Sequence, residues 1–192
     1  MGKWDNRLKG RLNDNPDYAD LRVDPSTHTL QTIEYSHHEL HNGRFYRAGM
    51  NFTCANGDVC IFCLTTPDTT RWCHIEWVLT ASADGTFAVL EDVTSYTGGV
   101  AMTPINHNRN STNTSGTVCK KGKTNSNAIT LTGGTTIMSA TLSTGKGSTV
   151  SRAAGNEFIL KQNSTYAFRY TNGTSANVIQ LILEWYEHTD KS

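Results

Sequence analysis

Apolar and polar side chains alternate along several segments of the chain, a pattern typical of half-buried β-strands. Between Arg71 and Leu79, every second position from Cys73 onward is apolar, whereas the positions between carry Trp72, His74 and Glu76. Near the end of the chain, one face is formed in the same way by Ile179, Leu181, Leu183 and Trp185. We predict a strand at each place, with its apolar face in the core.

Further segments have the length and composition of strands, and Ser82–Gly85 and Asn172-Gly173 are turn sequences after which the chain runs back as in a β-hairpin. The further candidates are Thr29–Tyr35, Arg44–Cys54, Val59–Thr65, Phe87–Leu90, Thr117–Lys120, Thr135–Leu142, Glu157–Leu160 and Tyr166–Tyr170. About eight to ten strands with few helices predict an all-β domain, a β-sandwich or barrel, with a jelly roll as first choice. Residues 92–115 and 143–156 are predicted to be long polar loops.

The first 26 residues differ from the rest, and we predict an extended N-terminal arm over 1–26 and a β-sandwich domain over 27–192. Trp4, Leu8 and Leu12 are spaced by four, so two or three helical turns would present a small apolar stripe. Pro16 and Pro25 then end any helix. Such a segment is either a frayed terminus or an arm that becomes ordered on a partner protein.

Charge and composition narrow the classes of function. Seventeen basic and seventeen acidic residues cancel, which argues against bulk nucleic-acid binding, and no stretch is long and apolar enough to cross a bilayer. The N-terminus lacks the apolar core of a secretory signal, so we expect folding in the cytosol. In that reducing compartment, the five cysteines are expected to be free thiols.

The segment His37-His38-Glu39-Leu40-His41 is the densest polar cluster. It departs from the His-Glu-x-x-His pattern of zinc proteases. If the segment is extended, His37, Glu39 and His41 share one face, but three neighbours on one strand rarely close a metal site. We therefore favour hydrogen bonding at a subunit contact or strand end, with no bound metal or cofactor.

The cysteines at 54, 60, 63 and 73 are read as small buried apolar side chains. Cys60 and Cys63 are three apart in an apolar strand, so they point to opposite faces and cannot readily share a zinc ion. Cys54 and Cys60 flank the turn sequence Asn56-Gly57. They would face each other only across a three-residue loop, and in that case a disulfide between them is possible.

No arrangement for nucleophilic catalysis is found, and we predict that the chain is not an enzyme. It has neither a Gly-x-Ser-x-Gly elbow nor a phosphate-binding glycine loop. Glu184 and Glu187 point to opposite faces of the last strand, which does not suit a glycosidase, and both are predicted to be ordinary exposed carboxylates. Tyr96 and Trp72 would stack on sugars if exposed, but a place in the core or an interface is favoured.

Five segments taken in order resemble a group of tailed-phage virion proteins. The first is Tyr35-Ser36-His37-His38-Glu39-Leu40-His41-Asn42-Gly43-Arg44-Phe45-Tyr46, and the others are 80–85, 106–115, 157–161 and 183–191. The resemblance implies a structural role as a head-decoration or cement protein, often a trimer, which binds major capsid proteins on the exterior of the phage head after assembly in the host cytoplasm.

Two stretches are candidates for contacts with the capsid or between subunits: Trp4, Arg7, Leu8 and Leu12 in the arm, and His37, His38, Glu39, His41 and Arg44 after it. Two other functions stay open. A tail- or fibre-associated carbohydrate-binding adhesin would share the fold and use loop 92–115 for the glycan. A metal-dependent enzyme would use His37, His38 and His41.

Overall fold

The computed structural model describes residues 8–11, 18–21, 35–143, 148–152 and 157–189. The chain divides into two compact units, residues 1–38 and 39–192. In the first unit, β1 (Leu8–Arg11) pairs antiparallel with β2 (Tyr18–Leu21). The helical stripe predicted for the arm is therefore wrong at Leu8, because a helix this short is marginal and Gly10 weakens it further. Trp4, Arg7 and Leu12 lie outside the described residues.

One helix and twelve further strands follow in the part of the chain that the structure describes. Their bounds are α1 (Tyr35–His41), β3 (Phe45–Cys54), β4 (Val59–Thr65), β5 (Arg71–Ala81), β6 (Gly85–Gly98), β7 (Val100–Met102), β8 (Ile105–Asn106), β9 (Val118–Lys123), β10 (Ile129–Leu142), β11 (Ser148–Arg152), β12 (Phe158–Leu160), β13 (Thr165–Asn172) and β14 (Asn177–Thr189). The predicted strands correspond to β3–β6, β9, β10 and β12–β14. The exception is Thr29–Tyr35, since Tyr35 begins a helix and 29–34 lie outside the described residues.

The strands of the second unit form two antiparallel sheets with the order of a jelly roll. Sheet I has the order β10-β6-β13-β4-β9-β7, and sheet II has the order β11-β5-β14-β3-β8, with β12 also paired to β5. Eight main strands remain when β7, β8 and β9 are set aside and β11 and β12 are counted as one edge strand. Numbered 1 to 8 along the chain, they are β3, β4, β5, β6, β10, β11/β12, β13 and β14. Their order is 2-7-4-5 across sheet I and 1-8-3-6 across sheet II. This order confirms the predicted all-β jelly-roll-like sandwich.

The predicted hairpins are corners between the sheets instead. The turn at Ser82–Asp84 leads from β5 in sheet II to β6 in sheet I, and the turn after Asn172 leads from β13 back to β14 in sheet II. A turn sequence fixes where the chain reverses, but not whether the next strand pairs with its neighbour or lies opposite it across the core.

The core between the sheets is built from the alternating faces that the sequence predicts. Cys73, Ile75, Trp77 and Leu79 of β5 are buried, as are the four alternating apolar residues of β14. Aromatic side chains supply much of the remaining volume: Tyr46, Phe62, Phe87, Tyr166, Phe168 and Tyr170. Burial of such apolar faces is the main driving force for folding.

A second apolar cluster lies on the other face of sheet I, where Ile61, Cys63, Ala88, Leu90 and Ala167 meet Val93 and Ile129. Val93 lies in the second half of β6, and Ile129 begins β10. Asp92, Gly133 and Gly134 take positive φ values where these paired strands bend, and the register shifts there. The predicted loop 92–115 is thus wrong over β6, β7 and β8, and the predicted loop 143–156 is wrong over β11.

Candidate functional site

The histidine-rich segment forms α1, and a glycine ends this helix. Gly43 has a φ of +68°, its N–H donates to the carbonyl of Leu40, and the N–H of Arg44 donates to the carbonyl of Glu39. These two bonds make a Schellman cap, which favours glycine. The extended reading of 37–41 is therefore wrong. His37, His38 and His41 are exposed, and Glu39 is buried.

Three asparagine side chains, of Asn106 at the end of β8 and of Asn108 and Asn113 in the loop after it, bind carbonyls at the end of the helix. Asn108 Nδ2 donates to the His41 carbonyl at 3.0 Å, Asn113 Nδ2 to that of Asn42 at 3.2 Å, and Asn106 Nδ2 to that of Gly43 at 2.9 Å. Helix ends leave such carbonyls without intrahelical partners. The loop over 106–113 (the asparagine loop) therefore satisfies three successive acceptors and fixes the segment after α1.

The asparagine loop is itself organised by short-range hydrogen bonds. Asn106 Oδ1 accepts from the N–H of Asn108, and Asn108 Oδ1 accepts from that of Asn110. Ser111 Oγ accepts from the N–H of Asn113, whose carbonyl accepts from Asn106 Nδ2. Asparagine and serine favour such turns because their short side chains reach the backbone two residues on. The loop is thus held by its own sequence as well as by α1.

The fit between the helix cap and the asparagine loop is close at Gly43. A Cβ atom built on Gly43 would lie 2.1 Å from Ser111 Oγ and 2.5 Å from Ser111 Cβ. Position 43 therefore needs glycine for its backbone conformation and for the space that Ser111 occupies.

Glu187, near the end of β14, binds Ser115–Thr117, the segment that follows the asparagine loop. Its Oε1 accepts hydrogen bonds from Ser115 Oγ (2.5 Å), Thr117 Oγ1 (2.9 Å) and Trp185 Nε1 (3.2 Å). Its Oε2 accepts from the N–H of Gly116 at 3.1 Å, and its own N–H donates to the Arg44 carbonyl. With only 2% of the residue exposed, the predicted exposed carboxylate is wrong here, because a loop about 70 positions earlier covers it. Glu184, by contrast, points to the other face as predicted.

His107 of the asparagine loop packs against sheet II through Phe45 of β3. The N–H of His107 donates to the Phe45 carbonyl, and the two rings lie 4.9 Å apart. His107 Nε2 lies 3.6 Å from Glu184 Oε1, and Arg47 Nε lies 3.8 Å from the same oxygen. Burial lowers the pKa of His107, an effect that Glu184 opposes and Arg47 reinforces. The imidazole is therefore neutral at pH 7.

The result is one polar surface at one end of the sandwich, which we call the α1–loop surface. It is formed by the exposed residues His41, Asn42, Arg109, Asn110, Thr112 and Asn113. Fixed backbone and exposed hydrogen-bonding side chains suit binding to another macromolecule. Among the residues that the structure describes, no group of three His, Cys, Asp or Glu side chains is placed to hold a metal ion.

Sequence reasoning missed a second polar cluster, on the outer face of sheet II. His188 Nε2 lies 2.6 Å from His74 Nε2, and Tyr186 Oη lies 3.0 Å from His74 Nδ1 and 3.3 Å from Glu157 Oε1. The alternation of β5 and β14 places His74, Tyr186 and His188 on the outer face. Their spacing could have suggested the cluster only once the pairing of those strands was known.

The two aromatic residues considered for sugar stacking are both half-buried. Tyr96 packs against the second apolar cluster, and Lys120 Nζ lies 5.5 Å from the centre of its ring. This face of the ring is therefore occupied by a cation rather than open to a ligand.

Comparison of the chain with protein-family models, curated proteins and solved structures gives no match. The one helix among the described residues, α1, is too short to cross a membrane, and no other candidate span is found there.

Proposed function

We propose that this chain is a non-enzymatic structural subunit of a tailed-phage virion, which decorates the exterior of the head, binds major capsid proteins and stabilises the shell. The proposal rests on the resemblance and on one structural observation. Parts of three of the segments that carry the resemblance, 39–46, 106–115 and 183–189, meet at the α1–loop surface. They are joined there by the bonds of Asn106, Asn108, Asn113 and Glu187.

The rigidity of this surface supports a binding role. Three asparagine side chains hold the backbone after α1, and Glu187 holds Ser115–Thr117. A surface that is ordered before binding loses less conformational entropy when it binds. A jelly-roll scaffold adds a rigid core below it, and viral capsid domains are among the proteins that use this architecture.

The chemistry of the surface favours a protein partner. The chain has no net charge, and the α1–loop surface combines imidazole, amide and hydroxyl groups with Arg109 rather than a cluster of cations. Nucleic acid binding normally needs a basic face. A subunit that binds only the assembled shell would stabilise it by mass action, and identical copies around a symmetry axis, such as a trimer, would repeat each contact.

The experiment measures the mass of the purified protein in solution and then its co-sedimentation with undecorated phage heads. We expect a trimer that co-sediments, and we expect Arg109→Glu to weaken binding because it reverses the charge of the surface. Ser175→Glu is the matched control, since it adds the same carboxylate to an exposed turn at the opposite end of β14, about 30 Å away.

Each outcome separates the candidate functions. Binding that Arg109→Glu weakens and Ser175→Glu leaves unchanged supports the decoration role through this surface. A protein that ignores heads but binds immobilised glycans would instead be a tail- or fibre-associated adhesin.

A further inference from the structure

We infer that Cys54 and Cys60 are a disulfide-forming pair, whose oxidation joins the two sheets of the sandwich at the β3–β4 corner. Both are free thiols in the structure, and their Sγ atoms lie 2.9 Å apart. This inference does not depend on the proposed function, because it concerns the chemistry of the two side chains alone.

The geometry brings the thiols together across the core. Cys54 ends β3 in sheet II, and Cys60 is the second residue of β4 in sheet I. Ala55–Asp58 connect the two strands. The sequence predicted that the two cysteines would meet only across a three-residue hairpin loop. That expectation is wrong, because β3 and β4 do not pair as a hairpin but face each other across the core from different sheets. The sulfur atoms need to approach by only about 0.9 Å to reach the length of a disulfide bond.

The corner is held in place by its surroundings. Asn172 Nδ2 donates to the carbonyls of Cys54 and Ala55, and the N–H of Gly57 donates to the carbonyl of Asn172. Asp58 accepts from the N–H of Ala55 at 2.8 Å and forms an ion pair with Lys123 at 3.0 Å. Because the backbone on both sides is fixed, the two thiols stay within reach of each other.

The thiolate is the reactive form of a cysteine. Burial raises the pKa of both Cys54 and Cys60, so the pair reacts more readily as the pH rises. Either thiol can donate to the other across the 2.9 Å contact, and either can therefore react first.

With hydrogen peroxide as the oxidant, the reaction balances in two steps. The thiolate of one of the two cysteines attacks one peroxide oxygen and breaks the O–O bond, which gives a sulfenic acid and, after protonation, one water molecule. The other cysteine, deprotonated as it reacts, then attacks that sulfur, forms the S–S bond and releases a second water molecule. Two thiols lose two electrons in total, and the peroxide is reduced to water.

The test oxidises the reduced full-length protein with hydrogen peroxide at pH 8 and then alkylates the remaining thiols under denaturing conditions. Three alkyl groups instead of five are expected in the intact mass. Cleavage before Asp58 separates Cys54 from Cys60, so the disulfide links two peptides that separate on reduction. The linked peptide should persist in Cys63→Ser, because Cys63 lies on the opposite face of β4, and should disappear in Cys60→Ser.

The wild-type protein alone can overturn the inference, so the test does not depend on the folding of a variant. Five alkylated thiols after oxidation of folded wild type, or a bridge located at Cys63, would overturn the inference. The melting temperature checks the link between the sheets: the oxidised protein should melt about 5 °C higher than the reduced protein. An unchanged or lower melting temperature would contradict the stabilising role.

Discussion

Asn106 Nδ2 donates a hydrogen bond to the carbonyl oxygen of Gly43, which lies 63 positions earlier in the chain, at 2.9 Å. The same nitrogen donates to the Asn113 carbonyl, and Asn106 Oδ1 accepts from the N–H of Asn108. One buried amide thus connects the cap of α1 to both ends of the asparagine loop.

Asn106→Ala should destabilise the protein by about 2 kcal/mol, because it removes three hydrogen bonds, to the carbonyls of Gly43 and Asn113 and from the N–H of Asn108. Urea unfolding measures the loss. The matched control is Asn110→Ala in the same loop, an exposed side chain, which we expect to change the stability by less than about 0.5 kcal/mol. Equal losses for the two variants would show that Asn106 is not the centre of the network.

Gly43→Ala tests the close approach of the helix cap and the asparagine loop. Gly57→Ala is its control, because Gly57 also has a positive φ (+79°) but no atom lies within 4 Å of its added Cβ. Gly57→Ala should lower the free energy of unfolding by about 1 kcal/mol, because of the backbone conformation alone. Gly43→Ala should lower it clearly more, because the added Cβ also meets Ser111. Removing the Ser111 side chain with Ser111→Gly should recover part of the difference; no recovery would contradict the steric cause.

Glu187→Gln replaces a carboxylate that only accepts hydrogen bonds by an amide that must turn an NH₂ group toward donors. The loss of stability should be about 2 kcal/mol, since Ser115, Thr117 and Trp185 all donate to Oε1. Glu184→Gln on the same strand is the control, and its longer contacts with Arg47 and His107 predict a smaller effect. Denaturant unfolding of both variants gives the comparison, and a larger loss at Glu184 would contradict the assignment.

Much of the sandwich could be predicted from the sequence, because alternation directly reports which face of a strand is buried. The inward residues of β5 and β14 are examples, as are the opposite faces of Cys60 and Cys63. The α1–loop surface was predicted in part: His41 was named as a candidate, but the asparagines that bind the carbonyls of His41, Asn42 and Gly43 were not. Asn106, Asn108 and Asn113 act on carbonyls far away in sequence, and no local pattern reports such a contact.

Two errors share one physical cause. Glu187 was expected to be exposed, and Cys54 and Cys60 were expected to meet only across a tight hairpin. Both expectations used local spacing alone. The burial of Glu187 depends on Ser115–Thr117, and the thiol contact depends on β3 and β4 lying in different sheets. Such relationships follow from the topology, which turn sequences do not fix.

Asp58 should make the stability of the β3–β4 corner depend on pH. The hydrogen bond from the N–H of Ala55, and then the contact with Lys123, lower the pKa of Asp58 in the folded state. The unfolded chain, in which an aspartate titrates near pH 4, therefore binds more protons in acid. Ionised Asp58 therefore stabilises the folded protein above about pH 4, and this stabilisation is lost as the pH falls through the lower pKa that Asp58 has in the folded state. Between pH 5 and pH 3, the urea midpoint of the wild type should fall more steeply than that of Asp58→Asn; equal slopes would exclude this carboxylate as a source.

Deletion of residues 2–16 tests the arm as a capsid contact, since it removes Trp4, Arg7, Leu8 and Leu12 together. We expect co-sedimentation with undecorated heads to be lost while the domain stays folded, because both sheets of the jelly roll lie within residues 39–192. Circular dichroism and the melting temperature check the fold of the truncated protein. Replacing 2–16 by a glycine-serine linker of equal length controls for chain length. If the truncated protein still decorates heads normally, the arm is not a capsid contact, and the α1–loop surface, tested by Arg109→Glu, is left as the candidate.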